Sequence, residues 1–155
     1  MTYGQLMADE VNLLIAERVE PAVIFGGTQG PPGASNQKFY MNRVAGEMIP
    51  AHRVVVSGVG GMCYLPDLNN PDHSIRVLGV STKSSLLGEG QVIQASADLT
   101  EYSWNWEEGK EVFIGIGGVL TQTPEVGVSF LMSVGFALST NTLLIRLGDP
   151  VILSP

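Results

Sequence analysis

The chain has 155 residues, enough for one domain with a sizeable core. With 45% hydrophobic residues, 15% charged residues and a net charge of −7, it has few of the clustered Lys and Arg that a nucleic-acid surface needs. No apolar run approaches the roughly 18 residues that would cross a membrane as a helix, and the first residues lack the basic start and small-residue cleavage site of a signal peptide.

A mean hydropathy of +0.22 is high for a free-standing soluble chain. Surfaces of that kind are often covered by partners. The single cysteine, Cys63, permits no internal disulfide and reads as a small buried hydrophobe.

In chain order, the first signal is a helix over residues 3–20. Thr2 and Gln5 have capping-box spacing, and Pro21 ends the run after Glu20. Tyr3, Met7, Val11, Leu14 and Ile15 form one apolar stripe at helical period, while Leu6 and Leu13 lie away from it. A helix apolar on two sides either has two partners, the body and a neighbouring subunit, or is simply well buried. Ala22–Phe25 (AVIF) then predicts a short buried strand.

Gly27, Gly30 and Gly33 recur every third residue around Pro31 and Pro32. Three triplets are too few to hold a triple helix alone. The prolines nevertheless favour an extended, polyproline-like crossing, which suits a semi-rigid linker or three chains running close to one axis. The expected organisation is a helical arm with its short strand over 1–25, a linker over 26–36 and a β-rich body over 37–155. Met7, Val11, Leu14, Ile15, Pro31 and Pro32 are the expected assembly residues.

The body carries short apolar runs punctuated by turn residues, in a chain with 19 glycines and 9 prolines. "RVVVSGVGGMCYL" (Arg53 to Leu65) matches "KEVFIGIGGVLTQ" (Lys110 to Gln122). Gly58, Gly60 and Gly61 lie 57 residues before Gly115, Gly117 and Gly118. "VLGVST" (Val77 to Thr82) and "VGFALST" (Val134 to Thr140) follow at offsets of 56 to 58. Each copy reads as strand, glycine turn, strand, polar loop, strand. The predicted fold is mainly β, a small β-barrel or β-sandwich body with an internal two-fold repeat. Between the copies, Tyr102, Trp104 and Trp106 alternate. On a strand they would share one face, either as an aromatic anchor over a core or as a stacking platform for glycan.

Chemistry-bearing patterns are sparse. His52 and His73 have no metal-ligand spacing. Asn69, Asn70, Asp72 and His73 fall on one polar loop that reads as a solvated turn. Glu107 and Glu108 would point opposite ways on a strand, a poor acid/base pair. No catalytic residue, cofactor or metal site is expected, and the chain is not read as an enzyme. A small hydrolase gathering Asp72, His73 and another carboxylate is the alternative of that class.

The stretch from Ile49 to Leu153, with "IPAHRVVVSGVGG", "EGQVIQASADL", "WNWEEGKEVFIGIGGVLTQTP" and "SVGFALSTNTLLIRL", resembles bacteriophage head-decoration (capsid cement) proteins and related head-fibre proteins. A collagen-like GPPG ahead of the body is also similar to phage fibre-like proteins. The resemblance covers about two thirds of the chain and lies in pattern and glycine placement. It implies a virion structural role, a β-rich fold, a homotrimer and the major capsid protein as partner. The implied location is the capsid exterior, after assembly in the host cytoplasm. The alternative kept open is a tail-fibre or receptor-binding module contacting glycan through Tyr102, Trp104 and Trp106.

Overall fold

A computed structural model describes residues 37–154. The expected helix over 3–20, the strand Ala22–Phe25, the Gly/Pro linker and the six assembly residues Met7, Val11, Leu14, Ile15, Pro31 and Pro32 lie outside the described residues.

The body is mainly β. Its strands are β1 (Tyr40–Val44), β2 (Val54–Ser57), β3 (Cys63–Tyr64), β4 (Val77–Ser81), β5 (Gly90–Gln94) and β6 (Ala97–Thr100). They continue as β7 (Glu111–Ile114), β8 (Leu120–Thr121), β9 (Phe130–Leu131), β10 (Ser133–Ser139), β11 (Thr142–Ile145) and β12 (Val151–Ile152). Helical structure among the described residues is confined to short 3-10 segments at Val59–Gly61, Pro71–Ile75 and Ile116–Gly118. The first sheet has the order β1-β5-β4-β2-β3 and the second β6-β11-β10-β7-β8, all pairs antiparallel, with β9 and β12 as a separate ribbon. A bridge from Ala45 to Cys63 draws the end of β1 towards β3, but neither sheet closes, so the barrel alternative is not formed.

The internal repeat runs deeper than its glycines. Strand for strand, β1 to β5 correspond to β6, β7, β8, β10 and β11, and the two sheet orders are then the same. The glycine turns superpose in detail. Gly60 and Gly117 have φ of 69° and 71°, and in both copies the first glycine accepts from the last, Gly61 N–H to Gly58 O and Gly118 N–H to Gly115 O. Each copy has a register shift at the same place, opposite Gly79 in β4 and Gly135 in β10. Gly79 therefore aligns with Gly135, at the 56-residue end of the expected range.

The two units stack in the same sense, without closing face to face about a twofold axis. Val55, Cys63 and Ile93 of the first sheet pack on Ala45 and Ile49 in a small core of their own. Their counterparts Val112, Leu120 and Leu143 pack in the second core, and there they meet Val54 and Val80 from the opposite face of the first sheet. Strand β2 is thus covered on both sides, which is why Val54, Val55 and Val56 are all buried and the strand does not alternate. A pseudo-twofold pairing would have put Val55 and Val112 into one shared core.

Candidate functional surface

The aromatic stretch was expected on a strand. Residues 101–110 instead form a loop that crosses the end of the second sheet. Trp104 N–H bonds back to Glu101 O in a turn, and Trp106 N–H bonds to Thr140 O. The alternation of Tyr102, Trp104 and Trp106 therefore does not place them on one face. Tyr102 is 84% exposed, whereas Trp104 and Trp106 are half-buried against the second core. Their ring centroids are 5.3 Å apart, and His52 meets Trp104 edge-on at 5.4 Å.

The repeat explains why the tryptophans turn inward. Ile49, whose N–H bonds to Ser85 O, plugs the first core; Trp106 occupies the corresponding place, 57 residues on, with Thr140 O as its acceptor. The correspondence extends to His52 and Gly109, both at positive φ, with N–H groups bonding Ser81 O and Ala137 O. Two larger indoles fill beneath the second sheet what one isoleucine fills beneath the first. A glycan platform needs flat rings open to solvent, and of the three only Tyr102 offers one.

The polar loop is a set of local turns. Asn70 Oδ1 accepts from Asp72 N–H, Asp67 Oδ1 accepts from Asn69 N–H, and His73 Nδ1 accepts from Asp67 N–H. The Asn70 bond caps the Pro71–Ile75 segment, and the His73 bond engages the Nδ1 that a catalytic role would have to free. Among the described residues no three His, Cys, Asp or Glu side chains gather as a metal site would require. Glu101 takes hydrogen bonds from Ser103 Oγ and N–H, which hold its carboxyl below the usual range. Cys63 is buried, and desolvation pushes its thiol up, away from reactivity.

What stands out on this body is apolar surface. Met48, Leu86 and Leu87 are 59%, 60% and 70% exposed, and Met48 and Leu86 line one cleft with Pro50 and Ser85. Leu86 and Leu87 sit where the two units differ. The β4–β5 connection spans Thr82 to Glu89, whereas the corresponding β10–β11 connection is a tight turn through Thr140 and Asn141. The extra residues thus carry leucines outward. Val59 and Ile116 occupy matching positions at the tips of the two glycine turns, and both are exposed. Phe39, Tyr40 and Val44 are exposed along the edge strand β1. Neither the tip residues nor the insertion stands out in the sequence pattern, in which the glycines alone mark the turns.

These features define a duplicated, open-sheet β unit with an apolar exterior. No protein-family model and no curated protein matches the chain. Among solved structures, it is similar to the crystal structure of the head fiber gp8.5 N base in bacteriophage phi29, with 15% identity, 71% of this chain and 95% of that chain covered, and a TM-score of 0.40. No residue role is carried over from that structure. No helix of the described residues is long and apolar enough to cross a membrane.

Proposed function

We propose that this chain is a virion structural subunit that binds the outer surface of a phage capsid as a homotrimer and decorates or stabilises it. The observation that carries this reading is the exposure of Met48 beside Leu86 and Leu87 of the β4–β5 insertion, together with exposed Tyr40 and Val44 on the edge strand. Contiguous exposed apolar surface of this kind marks an interaction site. The resemblance of Ile49–Leu153 to head-decoration and head-fibre sequences supports the major capsid protein as the proposed partner.

The arm of residues 1–25 is the proposed anchor, through Met7, Val11, Leu14 and Ile15, with the body projecting outward and the Gly/Pro segment around Pro31 and Pro32 as the crossing between them. Burying each such side chain contributes roughly 1.5–3 kcal/mol, and three arms acting together multiply the hold by avidity. The test is co-sedimentation of Val11→Asp/Leu14→Asp protein with capsids that lack it. Loss of two anchors per arm should reduce binding by at least a hundredfold while circular dichroism retains the β signal. Undiminished binding would show that the arm is not the anchor; a lost β signal would place the helix in the body's own core.

A further inference from the structure

An antiparallel sheet with one face in water alternates apolar residues inward with polar residues outward. The second sheet breaks that rule. Across its outer face run Asp98, Leu144, Phe136 and Glu111, paired in register from strand to strand. Their inward neighbours Val112, Ala137, Leu143 and Ile145 are buried, which fixes the outward direction of this row. Phe113 stands two residues along β7 from Glu111, and the Arg146 guanidinium carbon lies 5.6 Å from the Phe136 ring centroid. The centre of this face is therefore aromatic and aliphatic, with Phe113, Phe136 and Leu144 half-buried.

In the first unit, the same face is a packing face. The counterparts of Glu111, Phe113 and Phe136 are Val54, Val56 and Val80, at 0%, 1% and 0% exposure, and Val54 and Val80 enter the core of the following unit. Among the described residues, no third copy of the unit follows the second to pack on its outer face.

We propose that the outer face of the second sheet is where copies of this chain meet, through Phe136 and Leu144, with Arg146 of one copy on Glu111 of the next. A second copy is the occupant because the face is self-complementary. It carries a cation, Arg146, beside its apolar centre and carboxylates, Asp98 and Glu111, at the two ends of its row, so a rotated copy can set its Arg146 on Glu111. A uniformly acidic or basic partner would satisfy one sign and repel the other. Beside this face, a cleft of about 360 Å³ between β7 and the C-terminal ribbon, lined by Phe113, Leu131 and Val151, leaves room for a neighbour's side chain.

This inference rests on the oligomer in the proposed function, and the experiment separates the two. Sedimentation equilibrium of the full chain is measured for wild type, Arg146→Glu, Phe136→Gln and the charge swap Arg146→Glu/Glu111→Arg, with circular dichroism as the check on folding. Arg146 and Glu111 are exposed, so their exchange leaves both cores intact. Wild type should associate, each single variant should associate at least tenfold more weakly, and the charge swap should restore most of the loss. A wild type that associates while both single variants match it within twofold overturns the inference and leaves capsid binding standing. A charge swap as weak as Arg146→Glu alone overturns the pairing. A wild type that stays monomeric at every concentration overturns the inference together with the oligomer it rests on.

Discussion

Replacing Gly135 with alanine should be among the most damaging small changes available to the body. Gly135 has φ of 151°, in the region that side-chain-bearing residues avoid, at the register shift between β10 and β7. A Cβ there would sit 2.9 Å from the Leu144 carbonyl carbon and 3.0 Å from Arg146 N, and closer still to Leu144 O. All three are backbone atoms in or directly after β11, so no side-chain rotation relieves the overlap, and β10 and β11 must part. Backbone strain of roughly 1–3 kcal/mol and overpacking of a further 1–3 kcal/mol add to roughly 2–6 kcal/mol. Domains of this size are stable by about 5–15 kcal/mol, so much of the margin would go. The control is Gly90→Ala, where the added methyl meets nothing within 4 Å and which should stay within about 0.5 kcal/mol of wild type. Urea unfolding followed by circular dichroism and by Trp104/Trp106 fluorescence gives both values. The same loss is expected for Gly79→Ala, whose Cβ would meet Gln94 O and lie 2.9 Å from the Gln94 carbonyl carbon. If Gly135→Ala costs less than about 1 kcal/mol, the register shift is not the fixed element that it is taken to be here.

Further expectations concern the plugs and the thiol. Ile49→Ala and Trp106→Ala should cost roughly 2–5 and 3–5 kcal/mol in urea melts, while Tyr102→Ala should be nearly neutral; a neutral Trp106→Ala would return the indoles to the surface. Cys63 should react with a thiol reagent only as fast as the body opens, and native labelling at the unfolded rate would contradict its burial. Because burial raises the Cys63 pKa, the unfolded chain loses that proton first as pH rises. Stability should therefore decline with rising pH above the ordinary thiol range, an effect that Cys63→Ala removes. Unchanged alkaline stability in the two proteins would refute the linkage.

The repeat was legible in sequence only where geometry forces residue identity. A turn with two consecutive residues at positive φ leaves Gly60-Gly61 and Gly117-Gly118 as a visible mark. Elsewhere equivalence of position does not require equivalence of chemistry. Ile49 pairs with Trp106, His52 with Gly109 and Val54 with Glu111, and none of these pairs looks alike in sequence. Strands of two residues, such as β3, β8, β9 and β12, are too short to show alternation. The aromatic stripe misled for a related reason: spacing by two in a loop is not the period of a strand, and the turn at Glu101–Trp104 breaks the inference from one to the other.

Differences between the two copies are informative because the folds are alike. In β2, both faces are covered, and the sequence is valine at three successive positions. In β7, one face is covered, and the sequence is EVFI, alternating in burial. Glu111 is thus the charged counterpart of a valine that packs into the following unit, and Phe113 and Phe136 stand half-buried on the same face, Phe136 beneath Arg146. The same logic applies to the β4–β5 insertion, whose Leu86 and Leu87 have no counterpart in the tight β10–β11 turn. The two copies therefore differ most at the β4–β5 insertion and on the outer face of the second sheet, and these are the two places that the proposed contacts use.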